Sequence, residues 1–508
     1  MFKKILIANR GEIAVRVIRA CREMGILTVA VHSEADRASL HVLLADEAVP
    51  IGPAPAVESY LNMERIIRAA HDTGSEAIHP GYGFLAENAD FARLCEKEGL
   101  VFIGPNSEAL ELVGDKVRAR QTMEKAGIPI IPGMKAIPKA VTEFEAAAQS
   151  IGYPVIVKAS AGGGGKGMRI VSEEKDLRPA LEAGMREAKS AFGDESVYLE
   201  KYIEEPRHVE FQVLADNDGA TVHLFERECS IQRRHQKIVE ETPSPALDAG
   251  LRARMGETAK KAMRAAGYNN AGTVEFLLDQ DRKFYFLEVN ARLQVEHPVT
   301  ELVTGVDLVR QQILVAAGGK LALKQEDLRQ RGHAIECRIY AEDPENNFLP
   351  SSGRILFLNE PKGPGVRYDG GIYSGWEVPI YYDPILAKLI VWAEDREMAC
   401  RRMAAALDDF VILGIHTTIG FLKDIINHPE FRAGRTDTAF IRKHFEGWST
   451  GGKDEDKMRL ALAAAAFAEM AAAARPGGVP GRGTKQDALT PWKTLGRWRI
   501  GGAGSHGI

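Results

Sequence analysis

Short apolar runs alternate with stretches of helical spacing in the first part of the chain. Lys4 to Ala8 and Leu27 to His32 predict buried strands, and Gly11 to Met24 between them carries its apolar side chains at helical intervals. Ala77 to His79 and Val101 to Ile103 continue the series of strands. Strands that alternate with helices are typical of an open parallel sheet, so the chain is predicted to begin with an α/β domain.

The pattern changes near Asp115. Residues 126–203 contain a long glycine run and few core positions, which predicts a small appended lid. Beyond it, apolar strands such as Val209 to Ala215 and Gly272 to Leu278 predict a larger, mostly antiparallel sheet. After Trp448 the composition indicates a linker, an Ala-rich helical run and a flexible tail.

Composition removes several classes of protein. Lys and Arg number 65 against 70 Asp and Glu, so the net charge of -5 offers no basic surface for a nucleic acid. The five cysteines lack CxxC spacing, which disfavours a disulfide framework or a zinc site. The N-terminus does not resemble a signal peptide, and no stretch reaches the roughly 20 apolar residues of a membrane span. We therefore expect a cytoplasmic protein without a membrane partner.

A glycine run, Gly162 to Gly165, follows the apolar strand Val155 to Val157. Where no Cβ intervenes, backbone N–H groups can approach an anion closely, and Lys158 and Lys166 add positive charge on either side. The spacing does not fit GxxxxGK[ST], which disfavours a P-loop nucleotide site. The run therefore indicates either an anion-binding loop of another kind or a flexible surface turn.

Acidic side chains lie on a predicted hairpin near the middle of the chain. Strand periodicity places a polar row on one face of its second strand, formed by Glu288, Asn290, Arg292 and, if the backbone stays extended, Gln294 and Glu296. Glu275 lies on the neighbouring strand. Two carboxylates and an amide on adjacent strands are hard oxygen ligands that suit Mg²⁺ bridging the phosphates of a nucleotide.

Two further segments leave alternatives open. The run from Glu226 to Lys237 crowds four basic residues beside a strand, which fits a nucleotide and anion clamp or a solvated loop. The run from His79 to Asn88 contains a tight glycine turn, which fits a site loop or a structural loop that leads into a helix cap.

Together these segments resemble the biotin carboxylase component of biotin-dependent carboxylases. The strings that carry the resemblance are IANRGEIAVRVIRA, HPGYGFLAEN, KASAGGGGKGM, PRHVEFQV, RECSIQRRHQK and EVNARLQVEHPVTE. The resemblance extends over about residues 1–445 and implies an α/β, ATP-grasp fold. The implied parts are a Rossmann-like parallel-sheet domain at 1–114, an ATP-grasp domain at 115–330 with a mobile lid at about 131–203, an antiparallel-sheet domain at 331–447, and a linker, helix and tail at 448–508.

The resemblance also implies roles for particular residues. ATP would contact Lys116, Lys158, the loop around Gly163, Gly164 and Gly165, and a base and ribose pocket of Glu200, Lys201, Ile203, His208, Gln232, His235 and Leu277. Mg²⁺ (or Mn²⁺), as two ions, would be held by Glu275, Glu288 and Asn290. Bicarbonate would be held by Lys237, Arg292, Gln294 and the backbone of Val295. Glu296 would be the general base, and Arg338 would face the ureido group of biotin.

The implied reaction converts ATP and bicarbonate to carboxyphosphate, which carboxylates biotin. The Met-Lys-Met motif of a biotinyl module does not occur, so we expect a separate biotin carboxyl carrier protein, carboxyltransferase subunits and a homodimer. The string TPWKTLGRWR resembles acyl-CoA carboxylase α chains and favours acetyl-CoA or another acyl-CoA as final acceptor. A pyruvate or 2-oxoglutarate carboxylase is the alternative; another ATP-grasp ligase and a non-catalytic subunit are more distant ones.

Overall fold

The computed structural model describes residues 1–134, 138, 140–160, 168–449, 460 and 463–467. The chain divides into two compact units, Met1–Ser449 and Thr450–Ile508. In the second unit, residues 463–467 are helical and exposed. The predicted glycine loop, including Gly163, Gly164 and Gly165, lies outside the described residues, as do the predicted linker and tail.

The first part of the chain forms a five-stranded sheet in the order β3-β2-β1-β4-β5, with every neighbouring pair parallel. Its elements are β1 (Lys4–Ile7), α1 (Gly11–Glu23), β2 (Leu27–Ser33), α2 (Leu40–Leu44), β3 (Glu47–Gly52), α3 (Met63–Thr73), β4 (Ala77–His79), α4 (Ala89–Lys97), β5 (Val101–Phe102) and α5 (Ser107–Gly114). Asn62, Asn88 and Asn106 cap α3, α4 and α5 by accepting a hydrogen bond from the third helical N–H. The predicted open parallel sheet is confirmed.

A small separate layer follows. Helix α6 (Lys116–Lys125) precedes this layer and contributes Met123 to the same hydrophobic cluster as the N-terminal sheet. The elements of the layer are α7 (Val141–Ile151), β6 (Val155–Ala159), β7 (Arg169–Val171), α8 (Leu177–Phe192) and β8 (Val197–Lys201). The three strands form an antiparallel sheet in the order β7-β6-β8. Phe144, Val157 and Leu181 belong to a hydrophobic cluster that is distinct from the other cores. This layer therefore has a hydrophobic core of its own, the arrangement expected of a lid.

An eight-stranded sheet occupies the rest of the first unit, in the order β13-β12-β9-β10-β11-β14-β21-β19 with all neighbours antiparallel. Its first half contains β9 (Arg207–Ala215), β10 (Thr221–Arg233), β11 (Gln236–Thr242), α9 (Ala249–Ala265), β12 (Asn270–Leu278), β13 (Phe284–Asn290), α10 (His297–Thr304) and α11 (Leu308–Ala316). The predicted antiparallel sheet is confirmed.

The second half of the sheet adds β14 (His333–Tyr340), β19 (Val366–Gly370) and β21 (Ile385–Ala393). Three two-stranded sheets accompany it: β15 (Glu342–Asp343) with β16 (Leu349–Pro350), β17 (Gly353–Arg354) with β20 (Glu377–Val378), and β18 (Phe357–Asn359) with β22 (Val411–Leu413). The helices of this region are α12 (Arg396–Asp409), α13 (Ile419–Asn427), α14 (Pro429–Arg432) and α15 (Phe440–His444). Since β11 pairs with β14, the sheet continues across residue 330, and side chains from both halves can reach one site. Among the described residues, no helix combines the length and the apolar character that a membrane span requires.

Candidate active site

One cleft of about 1220 Å³ collects the predicted site residues. Its walls include Lys116, Lys158, Glu200, Lys201, Ile203, His208, Gln232, His235, Lys237, Glu275, Leu277, Glu288, Asn290, Arg292, Gln294, Val295 and Arg338. Glu296 lies just behind this surface, fully buried, in contact with two of the lining cations. The structure therefore brings together every described residue that the sequence analysis singled out.

Carboxylates on three neighbouring strands form a row, which an arginine on a fourth strand continues. Glu275 on β12 stands in register with Glu288 on β13 on one side and with Glu210 on β9 on the other. Glu210 is in turn in register with Arg227 on β10, and their side chains are 2.6 Å apart. Residues in register on neighbouring strands have adjacent side chains, so the sheet itself concentrates negative charge here.

Lys237 neutralises much of this charge. Its Nζ lies 2.5 Å from Glu210, 2.6 Å from Glu275 and 2.9 Å from Glu296. Burial alone would lower the pKa of this lysine, but the three surrounding carboxylates raise it well above its usual value. Lys237 is therefore a permanent cation at the centre of the site.

Glu296 lies between two cations. Its Oε1 accepts a hydrogen bond from Lys237 and its Oε2 accepts one of 2.9 Å from Arg338. Burial opposes ionisation of this carboxyl, but Lys237 and Arg338 outweigh burial and hold its pKa well below the usual range. Glu296 is therefore an ionised carboxylate that is fully buried behind the cleft surface.

The backbone before Glu296 departs from the predicted extended strand. β13 ends at Asn290, and the chain then turns, so that Glu296 occupies the N-cap position of α10. The backbone therefore does not stay extended as far as Glu296, although Gln294 still reaches the site. Arg292 donates hydrogen bonds to Gln294 Oε1 at 2.9 Å and to Asn290 Oδ1 at 3.2 Å, which holds the turn together.

The residues predicted to hold a metal ion lie together on the hairpin. Asn290 Nδ2 donates a hydrogen bond of 2.8 Å to Glu275 Oε1. Glu288, whose side chain is 41% exposed, faces the cleft. Two carboxylates with an amide oxygen, at the exposed end of the charged row, form a donor set that fits Mg²⁺ or Mn²⁺.

The other end of the cleft is cationic and borders the lid. Lys158 Nζ donates a hydrogen bond of 2.9 Å to Glu200, and Lys116 lies 3.7 Å from Glu288. Lys201 directs its ammonium group to the carbonyl oxygens of Gly152 and Tyr153. The ammonium group of Lys201 therefore stabilises the lid, and only the rest of the residue lines the cleft.

A tight turn presents the basic segment to the cleft. Arg234 and His235 connect β10 to β11, and both have positive φ, at 50° and 66°. Such a two-residue turn matches the twist of antiparallel strands, although residues other than glycine adopt it at a cost. His208 joins this region to the carboxylates, since its Nε2 lies 2.9 Å from Glu275 and its Nδ1 lies 2.8 Å from Gln232.

Several residues of the site were missed in the sequence. Glu210 and Arg227 are fully buried, Glu240 holds the Nε of Arg338 at 2.6 Å, and Glu87 lies 3.1 Å from the Nε of Arg292. Glu210 could have been recognised in the sequence, because it is a charged residue within a predicted apolar strand. The contact of Glu87 with Arg292 shows that the turn at residues 79–88 lies beside the cleft. The sequence alone could not distinguish a site loop from a structural loop there.

A lid with its own core, a carboxylate-bearing hairpin and a lysine-lined cleft between them define the ATP-grasp class. Family models for "Biotin carboxylase, N-terminal domain", "Carbamoyl-phosphate synthase L chain, ATP binding domain" and "Biotin carboxylase C-terminal domain" match residues 1–110, 115–324 and 336–443. The chain is 55% identical over 445 residues to biotin carboxylase 1 of Bacillus subtilis, an alignment that covers 87% of this chain and 99% of that protein.

Two other relatives belong to larger enzymes. The methylcrotonoyl-CoA carboxylase α subunit of Dictyostelium discoideum is 50% identical over 498 residues, covering 98% of this chain and 70% of that subunit. The biotin carboxylase domain dimer of Hydrogenobacter thermophilus 2-oxoglutarate carboxylase, solved with MgADP, ADP and bicarbonate, is 50% identical with a TM-score of 0.85, covering 89% of this chain and 99% of that one. The chain belongs to the biotin carboxylase family, whose enzymes carboxylate biotin with ATP and bicarbonate.

Proposed function

We propose that this chain carries out the biotin carboxylation half-reaction of an acyl-CoA carboxylase, with ATP, Mg²⁺ and bicarbonate, on biotin attached to a separate carrier protein. The observation that carries the proposal is the contact of Glu296 with both Lys237 and Arg338, each at 2.9 Å. A buried base held between two cations is suited to a small anion from which a proton must be removed.

Bicarbonate would bind against Lys237, Arg292, Gln294 and the backbone of Val295. Glu296 would take its proton, and Lys237 and Arg292 would stabilise the resulting dianion. The anion would compete for the cations that hold the pKa of Glu296 well below its usual range, and the carboxylate would then become more basic. Substrate binding thus activates the base.

The nucleotide would lie in the cationic half of the cleft. Lys116 and Lys158 would contact its phosphates beneath the loop that contains Gly163, Gly164 and Gly165. The base and ribose would contact Glu200, Lys201, Ile203, His208, Gln232, His235 and Leu277. Mg²⁺ held by Glu275, Glu288 and Asn290 would neutralise phosphate charge. Closure of the lid would keep water from carboxyphosphate, which hydrolyses readily.

The final acceptor and the partners follow from relatives. The alignment with an acyl-CoA carboxylase α subunit covers 98% of this chain, including most of the C-terminal tail, which supports an acyl-CoA acceptor. A 2-oxoglutarate or pyruvate acceptor is the second candidate, since relatives of similar identity serve those enzymes. A biotinyl carrier, a carboxyltransferase and a second copy of this chain complete the proposed assembly.

The half-reaction is tested by phosphate release from ATP, with and without bicarbonate and free biotin. Strict dependence on both cosubstrates supports the proposal. ATP cleavage that ignores bicarbonate would instead favour another ATP-grasp ligase. The acceptor is tested separately, by copurifying the carboxyltransferase and assaying acetyl-CoA, propionyl-CoA, pyruvate and 2-oxoglutarate with the assembled enzyme.

Replacing Arg338 with alanine should impair transfer of the carboxyl group to biotin more than it impairs ATP binding. Arg338 would stabilise the negative charge that develops on the ureido oxygen, and loss of such a donor costs about 100- to 1000-fold in kcat. Carboxybiotin formation and nucleotide affinity should be measured on the same sample. Equal losses in both would contradict the role in biotin transfer.

Replacing Glu288 with glutamine should raise the Mg²⁺ concentration needed for half-maximal activity. Glu288 is the exposed carboxylate of the proposed metal set, so its loss removes a charged ligand while the buried network stays intact. Activity should be titrated with Mg²⁺ at fixed ATP. Glu257→Gln, on an exposed carboxylate of α9, is the matched control and should leave the titration unchanged.

A further inference from the structure

A fully buried lysine lies directly behind the proposed bicarbonate site. Lys388 on β21 is 0% exposed and stands in register with Arg338 on β14. Its Nζ donates a hydrogen bond of 2.8 Å to the carbonyl oxygen of Val295 and lies 3.2 Å from Glu12 Oε2. Lys388 does not line the cleft, so any effect on substrate would act through the neighbours that it contacts.

Glu12 supplies the countercharge from the N-terminal sheet layer. It lies in the first turn of α1 and is 3% exposed. Lys388 is the cation nearest to its carboxylate at 3.2 Å, and burial raises the pKa of Glu12 to about 7 against the opposing charge of Lys388. The backbones of Gly371 and Glu12 are also close, because a Cβ added at Gly371 would lie only 2.6 Å from the Glu12 nitrogen. The first turn of α1 therefore contacts the residues that support the cleft.

The Val295 carbonyl is a sensitive point of contact. It belongs to the peptide that links Val295 to Glu296, where the irregular segment after β13 becomes α10. A peptide unit is planar, so a hydrogen bond that fixes its carbonyl also fixes the direction of its N–H and the position of the next Cα. Lys388 thus controls where the Glu296 side chain begins.

Tyr82 makes a third contact with Lys388. Its ring centroid lies 5.7 Å from Lys388 Nζ, within the range of a cation–π contact. Tyr82 also belongs to the lining of the cleft. Lys388 is therefore held from three directions, which leaves its ammonium group little freedom and makes it a rigid anchor for the Val295 carbonyl.

We propose that Lys388, paired with Glu12, is a positioning residue for bicarbonate, an inference that rests on the proposed function. It fixes the Val295 carbonyl, and with it the start of the Glu296 side chain, so that the base stays against an anion bound at the adjacent Val295 backbone. A purely structural lysine would instead stabilise the fold without favouring one substrate over another.

The first test measures the kinetics of Lys388→Met. We expect the KM for bicarbonate to rise about 10- to 100-fold, because the lost hydrogen bond orients the groups that bind the anion. The KM for ATP should stay near its wild-type value. Glu12→Gln should give a smaller rise in the same direction, and the double variant should be less than additive because the two residues act as a unit.

The control is Lys260→Met. Lys260 is another buried lysine, 8% exposed, with a single carboxylate partner, Glu257, at 2.6 Å on α9. Its loss should leave the KM for bicarbonate unchanged. The proposal is overturned if folded Lys388→Met keeps the wild-type KM for bicarbonate, if both substrates lose affinity equally, or if the control behaves like Lys388→Met. Should Lys388→Met fail to fold, Glu12→Gln decides by the same criterion.

Amide hydrogen exchange separates this proposal from the proposed function. Lys388→Met should speed exchange in peptides that cover residues 291–297 and leave β12 unaffected, whether or not the enzyme turns over. Unchanged exchange at residues 291–297 would refute the positioning role. A wild-type chain without bicarbonate-dependent ATP cleavage would refute the proposed function, and the exchange result would still stand by itself.

Discussion

Glu296→Gln should lower bicarbonate-dependent ATP cleavage by about 100- to 10,000-fold, the range of a lost general base. Glutamine keeps the shape of the side chain, but only its oxygen can accept a hydrogen bond, so it retains the bond from one of the two cations that hold Glu296 at 2.9 Å each, Lys237 and Arg338. It cannot take a proton from bicarbonate. The measurement is phosphate release at saturating MgATP, with and without bicarbonate, in the presence of free biotin.

Glu336→Gln is the matched control for this variant. Glu336 is fully buried on β14 and does not line the cleft. Burial raises the pKa of its carboxyl well above the usual range, which favours the neutral form that glutamine resembles. Turnover should stay near the wild-type value. If Glu296→Gln retained turnover close to that of the control, Glu296 would not be the base.

The elements of the fold could be predicted because their signals are local. The alternation of strand and helix at the start of the chain predicts the parallel sheet, and the two runs around Glu275 and Glu288 predict the hairpin β12–β13. Strand periodicity also indicates that Glu288 and Asn290 share a face. Each inference needs only a few neighbouring residues, and side-chain spacing within one strand is fixed by the backbone.

The electrostatic centre could not be predicted in the same way. Glu210 meets Glu275 because β9 pairs with β12, and it meets Arg227 because β9 pairs with β10. Pairing between distant strands depends on packing over the whole domain, and a shift of one residue would place these side chains on the opposite face. The sequence therefore indicated the charged residues of the hairpin but not their buried partners.

The path of the backbone just before Glu296 could not be predicted from the sequence either. Strand periodicity would place Gln294 and Glu296 on the same face only if the backbone stayed extended, but β13 ends at Asn290. The bend is held by non-local contacts, among them the hydrogen bond from Lys388 to the Val295 carbonyl across 93 residues. A local pattern carries no information about such a partner, so the site residues could be predicted while the path of the backbone between them could not.

Lys237→Met should remove bicarbonate-dependent activity and destabilise the fold by about 3–5 kcal/mol at pH 8, the usual cost of breaking a buried ion pair. The substitution leaves Glu210, Glu275 and Glu296 buried without their shared cation. In the wild-type protein, interactions with Lys237 and neighbouring cations outweigh burial and hold the pKa values of Glu275 and Glu296 well below their usual range. Without Lys237, burial shifts the carboxyl pKa values of the cluster upward.

The direction of the pH dependence makes this prediction specific. Wild-type carboxyls with lowered pKa values stabilise the fold above the pKa of the unfolded chain and lose that contribution as the pH falls. Carboxyls with raised pKa values favour the protonated folded state, so their contribution is lost as the pH rises through the folded pKa. The stability difference between wild type and variant should therefore widen from pH 5 to pH 8, measured by urea unfolding.

Lys260→Met leaves only an exposed carboxylate behind, that of Glu257, and its deficit should not vary with pH. A pH-independent deficit in Lys237→Met would mean that the lost packing of the lysine stem, and not the cluster of buried carboxylates, sets its contribution to stability.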